Sequence, residues 1–202
     1  MQYVGLIWSS AFLLPWGVLY ALYPYYRRVM LWSSVLTAPF GLSEPLFVPE
    51  YWNPPSLFDL AQTTGFDIES LIFCLAIGGV GAVMYNALTG QNLQPVPAAE
   101  RCSQRHRYHR QILFLPFAIF PTLYFLPWNP IYPGVVAMIA GGMGAVWCRP
   151  DLKVKTLIGG GLFLGYYLVF MLGLKWSVPG HIEQVWNLEA LSGIVIYGIP
   201  LE

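Results

Sequence analysis

The chain has 202 residues, of which 56% are hydrophobic and only 10% are charged. A typical soluble domain carries about 25% charged residues, so ten acidic and ten basic side chains are too few to cover a globule of this size in water. In lipid, an apolar outer surface needs no polar cover. The composition therefore excludes an ordinary soluble protein, and the zero net charge gives no indication of a nucleic acid partner.

Seven apolar segments follow one another, and they predict an all-α, polytopic transmembrane bundle of about six or seven helices. They cover residues 4–23, 29–48, 66–88, 112–128, 132–147, 157–174 and 188–201. Because a span takes about 20 apolar residues, the fourth, fifth and seventh segments are short. The breaker at residues 127–130 predicts that the fourth and fifth form a helical hairpin, with a re-entrant pair as the alternative.

The basic residues predict the orientation of this multi-pass integral membrane protein. With seven spans, the loops at residues 27–28, 89–111 and 149–155 lie on one side and hold nine of the ten basic residues, with only Lys175 opposite. Lys and Arg are concentrated in cytoplasmic loops, so the N-terminus is predicted outside. His106 and His109 lie among arginines, which favours contact with lipid headgroups over a metal site.

An internal repeat is indicated by two similar stretches. In the first stretch, Trp52-Asn53 is separated by residues 54–64 from Gly65-Phe66-Asp67-Ile68-Glu69. In the second stretch, Trp186-Asn187 is separated by residues 188–197 from Gly198-Ile199-Pro200-Leu201-Glu202. The second stretch lies 133–134 residues after the first. Membrane proteins often contain such repeats, with sites at the interface between them. The predicted organisation is a first membrane repeat at residues 1–90, a basic cytoplasmic linker at 91–110 and a second repeat at 111–202. A full apolar helix follows Glu69 but not Glu202, so we expect a last helix to begin near Gly198 and to be cut short.

The stretch from Gly198 to Glu202 resembles the Gly-x-Pro-x-Glu-Glu signature of the small membrane lycopene cyclase domain, and residues 44–52 and 65–70 are similar to proteins of that family. The first copy has Asp67 in place of the proline and Ser70 in place of the second glutamate. The family's domain occurs as paired subunits or as tandem fusions. The resemblance therefore implies two units of about three helices each, and a homo-oligomer or a hetero-oligomer with a related subunit.

The resemblance implies cyclisation of a linear carotenoid end group without a cofactor or a metal. An acid protonates the terminal alkene, a second alkene attacks the cation, and a base removes a ring proton. Burial raises the pKa of a carboxyl group and keeps its proton available, and acids within a membrane are functional candidates. The candidate catalytic residues are Glu69, Glu202, Asp67 and Glu44. The candidate substrate-binding residues are Trp52, Trp186, Tyr197 and Pro200.

Each candidate also has a structural interpretation. Glu69 and Glu202 could favour helix starts through the helix dipole, Glu44 could pair with Lys175, and the tryptophans could be interface anchors. On a helix, Asp67 and Glu69 would point about 200° apart. The alternative functions are a non-catalytic carotenoid- or lipid-binding protein or inactive cyclase subunit, and a small transporter. The expected partners are membrane lipid and, as the substrate of the cyclase, a long polyene.

Overall fold

The computed structural model describes residues 3–202 and is mostly helical. The chain forms two compact units. The first contains the described residues up to Asn92 together with Leu162–Glu202, and the second contains Leu93–Gly161. We describe each unit by itself.

The helices of the first unit begin with α1 (Val4–Ala11) and α2 (Leu13–Leu22), which are separated only at Phe12. Next come α3 (Arg27–Thr37), α4 (Leu60–Thr64) and α5 (Ile68–Thr89). The C-terminal part of α9 (Lys153–Ser177) and α10 (His181–Val185) complete the set. Short 3-10 helices lie at Pro24–Tyr26, Ala38–Leu46, Leu57–Asp59 and Leu188–Ala190.

Close packing in the first unit centres on α5. A Cβ atom added to Gly78 would lie 1.8 Å from Oγ1 of Thr37, and one added to Gly79 would lie 2.5 Å from Oγ of Ser34. Small residues allow helices to approach this closely. By contrast, nothing lies within 4 Å of a Cβ added to Gly160, Gly161 or Gly165.

The second unit contains α6 (Ala98–Arg101), a 3-10 helix at His106–Tyr108, α7 (His109–Tyr124), α8 (Ile131–Cys148) and a 3-10 helix at Pro150–Leu152. The helices α7 and α8 pack against each other. A Cβ on Gly141 would lie 2.6 Å from Cγ of Pro116, and one on Gly144 would lie 2.8 Å from Cγ2 of Ile112. The fourth and fifth apolar segments therefore form adjacent helices joined by a short turn.

Within the described residues, four helices are long and apolar enough to cross a membrane: Val4–Leu22, Ile68–Thr89, Ile131–Cys148 and Pro150–Ser177. The second predicted segment is shorter as an α-helix than expected. It ends at Thr37 and continues as a 3-10 helix that includes Pro39 and Pro45. Pro39 lacks the N–H that the α-helix would need to continue. The helix of the fourth segment has 16 residues.

The seventh apolar segment is not a helix, so that prediction is wrong. It contains a 3-10 turn and two short antiparallel strands, β1 (Val195–Ile196) and β2 (Ile199–Pro200). The β-branched residues of β1 favour extended backbone. Gly193 and Gly198 have φ values of +75° and +77°, a conformation that interrupts a right-handed helix.

The close approach at Gly41 yields a stability prediction. A Cβ at Gly41 would lie 2.6 Å from the backbone N of Leu71, and backbone atoms cannot rotate away. We expect Gly41→Ala to lower the free energy of unfolding by about 1–3 kcal/mol, the usual cost of overpacking. Thermal unfolding in detergent measures the effect.

The matched control is Gly17→Ala on α2, where an added Cβ meets nothing within 4 Å. Alanine is also a better helix former than glycine, so this control should leave the melting temperature unchanged or raise it. Equal melting temperatures for the two variants would contradict the close approach at Gly41.

Candidate functional site

The first unit encloses a cavity of about 300 Å³. Its wall combines the start of α5, the segment around Trp52, the C-terminal half of α9, and α10. Most of the lining is apolar or aromatic: Gly5, Trp8, Phe12, Trp52, Pro54, Pro55, Phe73, Tyr167, Phe170, Met171, Leu174, Val185 and Trp186. The polar residues that line it are Ser9, Tyr51, Asp67, Glu69, Ser70 and His181. The site is thus an apolar chamber with its polar groups confined to a few positions.

Two aromatic pairs of this wall are in edge-to-face contact. The rings of Trp8 and Phe170 are 4.9 Å apart between centroids, and those of Phe12 and Phe73 are 5.0 Å apart. Such arrangements stabilise aromatic pairs by about 0.5–1.5 kcal/mol beyond burial. These contacts join α1, α5 and α9, so the wall is formed by side chains packed between three helices.

Two of the predicted acids lie at the start of α5. Asp67 is the N-cap residue of this helix, and its side chain accepts a hydrogen bond from the backbone N–H of Ser70. Glu69 accepts a hydrogen bond of 2.8 Å at Oε1 from the backbone N–H of Leu57. Its Oε2 atom is buried and has no hydrogen-bond partner among the described residues.

Asp67 and Glu69 both line the cavity, although helical spacing predicts opposite directions for them. The spacing argument fails because Asp67 precedes the helix, with φ −135° and ψ 160°. The helix-dipole interpretation of Glu69 is also incomplete. Asp67 provides the cap, whereas Glu69 reaches back to the loop that contains Leu57.

Glu44 contacts the start of α5 through Ser70. Its Oε2 accepts a 3.0 Å hydrogen bond from the hydroxyl of Ser70, and it interacts electrostatically with Asp67 and with the side chain of Trp52. Glu44 is buried but does not line the cavity. Its predicted alternative pairing with Lys175 is wrong, because Nζ of Lys175 donates to the backbone oxygen of Tyr197 at 2.7 Å.

The two Trp-Asn stretches pair with each other. Trp52 and Trp186 form an antiparallel bridge, with ring centroids 5.5 Å apart. The backbone N–H of Asn53 donates to the oxygen of Val185 at 2.7 Å, and the N–H of Asn187 donates to the oxygen of Tyr51 at 3.0 Å. Both predicted tryptophans therefore reach the cavity wall through one backbone connection.

The other predicted residues lie outside this cavity. Oε1 of Glu202 accepts a 2.9 Å hydrogen bond from the backbone N–H of Ser192, and its backbone oxygen accepts from the hydroxyl of Tyr51 at 3.2 Å. Pro200 is buried and lines a second cavity of about 150 Å³. Tyr197 is 75% exposed.

Two titratable residues of the cavity were missed by the sequence reasoning. Tyr51 is adjacent to Trp52, and its hydroxyl accepts a 3.1 Å hydrogen bond from Nε1 of Trp186. Burial raises the pKa of Tyr51, so its hydroxyl keeps its proton. His181 is buried, and burial lowers the pKa of its imidazole. A histidine directly after the turn signal Pro179-Gly180 was the available clue.

Removal of the Tyr51 hydroxyl tests its bridging role. We expect Tyr51→Phe to destabilise the protein by about 1–3 kcal/mol, because the indole N–H of Trp186 and the backbone oxygen of Glu202 both lose a partner. Thermal unfolding measures this loss. Tyr3→Phe, at a side chain that is 57% exposed, is the control, and an equal change in both variants would contradict the bridge.

The comparison with known proteins identifies one family. The lycopene cyclase family model matches residues 129–202. The matched part includes α8, α9, α10 and the final stretch from Gly198 to Glu202. No curated protein and no solved structure matches the chain. The family resemblance is thus confirmed for residues 129–202, which are similar to the lycopene cyclase family and include the stretch from Gly198 to Glu202.

Proposed function

We propose that the protein cyclises the end group of a linear carotenoid inside the membrane, by an acid-initiated isomerisation. The family match supports a carotenoid cyclase-type function in general. The observation that carries the specific proposal is Glu69, which lines the aromatic cavity and whose buried Oε2 has no hydrogen-bond partner among the described residues. Glu69 in its protonated form is the proton donor for the terminal alkene.

The cavity suits a short-lived carbocation. The faces of Trp52, Trp186 and other aromatic residues of the wall can stabilise a cation that lies over them. The apolar lining also keeps water away, which protects the cation from capture. Its volume of about 300 Å³ lies at the small end of the range for ligand pockets. One end group would fit at a time, while the rest of the polyene stays in the lipid.

We also propose that the two similar stretches are structurally equivalent halves of a repeat. Trp52 faces Trp186 across one antiparallel bridge, and Gly65 and Gly198 both have a φ of +77°. The two glutamates make matching contacts: Glu69 accepts from the N–H of Leu57, and Glu202 accepts from the N–H of Ser192. Each glutamate thus reaches back ten to twelve residues to an N–H of its own preceding loop.

The contacts between loops support the predicted grouping of the loops on two sides. On the predicted outer side, residues 51–53 pair with residues 185–187. On the predicted cytoplasmic side, the hydroxyl of Tyr26 donates to the backbone oxygen of Gln91 at 2.9 Å, and Sγ of Cys148 donates to the oxygen of Arg105 at 3.3 Å. The proposal that the N-terminus lies outside rests on the distribution of the basic residues.

A non-catalytic carotenoid-binding protein, or an inactive subunit of a heteromeric cyclase, is the second candidate. One specific observation favours it: Glu69 and Glu202 each use one carboxyl oxygen to hold a loop N–H. Ser70 also stands where the family signature has a second glutamate. A transporter is disfavoured, because the acids gather at one end of the spans and not near the bilayer centre.

Pigment analysis tests the cyclase. The full-length protein is expressed in cells that accumulate lycopene, and the carotenoids are separated by chromatography. We expect ringed products with the wild type, and a loss of about 10²–10⁴-fold with Glu69→Gln, the usual contribution of a general acid. The amide keeps an acceptor oxygen for the N–H of Leu57 but cannot donate a carboxylic proton.

Glu189→Gln is the matched control, because Glu189 is exposed and lines neither cavity. It should leave the product unchanged, and Glu202→Gln tests the second copy in parallel. Unchanged lycopene with a wild-type protein that is present in the membrane would reject the cyclase. A carotenoid that then co-purifies with the protein would identify the non-catalytic candidate.

Thiol labelling tests the orientation. Cys102 is exposed and lies in the basic segment, whereas Cys148 is buried. We expect a membrane-impermeant maleimide to label Cys102 only after the cells are permeabilised. In a Cys102→Ser background, Ala190→Cys places a thiol at an exposed position of the opposite side. It should react in intact cells, and the reverse pattern would invert the topology.

A further inference from the structure

His181 is a buried titratable residue that the donor role of Glu69 leaves unused. It is the first residue of α10 and follows Gly180, whose φ is +81°. The side chain is 6% exposed and lines the same cavity as Asp67 and Glu69. Among the described residues, no hydrogen bond to the protein is made by its ring nitrogens, and neither nitrogen is one of the fully buried atoms without a partner. The imidazole lies on the wall of an apolar cavity, where it can contact a ligand.

We propose that His181 is a second catalytic residue, the base that removes the ring proton in the last step of cyclisation. This inference rests on the proposed cyclase function. It assigns the two proton transfers to different sides of one cavity, with Glu69 on α5 as the donor and His181 on α10 as the acceptor.

The proton balance closes without a co-reactant. Glu69 gives its proton to a carbon of the terminal alkene, and the adjacent carbon becomes a tertiary cation. The electron pair of a second alkene forms the ring bond and moves the positive charge onto a ring carbon. A neighbouring C–H bond then breaks, its electrons form the ring double bond, and its proton goes to the free nitrogen of His181. Transfer of that proton back to the Glu69 carboxylate restores both groups, and the product is an isomer of the substrate.

The other polar groups of the cavity are less suited to accept this proton. Oδ1 of Asp67 accepts the N–H of Ser70 as the cap of α5, and Tyr51 is a bridge between Trp186 and Glu202, so each already has a structural contact that a change of protonation would disturb. Burial lowers the pKa of His181, so its neutral, accepting form prevails near neutral pH.

The test compares product types, because a base acts after the cation has formed. His181→Gln keeps a polar side chain of similar length but cannot accept the proton. In the lycopene-accumulating cells, we expect its turnover to fall at least about tenfold, within the range of general base catalysis. We also expect the ring products to shift, because the cation loses a different proton or is captured by water. His109→Gln, the same change at an exposed histidine, should leave both amount and ring type unchanged.

Deuterium separates a lost base from a damaged site. Membranes assayed in heavy water should place deuterium in the recovered linear polyene with His181→Gln, because protonation continues and reverses, but not with Glu69→Gln. An unchanged ring ratio and no deuterium in the linear polyene would overturn the role of His181 while the cyclase stands. No ringed product from the wild type would overturn the proposed function itself, and this inference with it. If neither His181→Gln nor His181→Asn folds, judged by thermal unfolding, His181 is structural and the proposal fails.

Discussion

A carboxyl group can be buried in an apolar environment only where hydrogen bonds offset its lost hydration, and the proposed site depends on this constraint. Glu69 meets it with the backbone N–H of Leu57, and Glu44 meets it with the hydroxyl of Ser70. Each contact ties an acid to another segment of the chain. The acids therefore hold the loops before α5 in place, and the same loops hold the acids at the cavity.

The pairing of Trp52 with Trp186 connects this acidic side to the opposite wall. The bridge is a short piece of sheet between two loops, and its hydrogen bonds satisfy backbone groups that lipid could not. The hydroxyl of Tyr51 adds a contact to Trp186 and one to Glu202. This part of the cavity wall lies in loops, but its hydrogen bonds give it a defined geometry. A site needs such a geometry if it is to direct the fate of a cation.

The family match and the cavity complement each other. The match covers residues 129–202, which contribute Tyr167, Phe170, His181 and Trp186 to the cavity. The acids Asp67 and Glu69 come from the earlier part of the chain. The proposed donor therefore comes from the first predicted repeat and the proposed base from the second.

Composition, apolar segments and Trp-Asn spacing could be interpreted from the sequence because each reflects a local or additive property. The charge content indicates lipid as solvent, and the helices of six segments lie where apolar runs were found. The seventh was wrong because its length and hydrophobicity do not reveal that Gly193 and Gly198 have positive φ. The opposed directions expected for Asp67 and Glu69 failed for a similar reason, since the helix starts one residue after Asp67. Only the tertiary structure brought His181 to the cavity of Glu69, because residues more than a hundred positions apart meet through packing that no local pattern encodes.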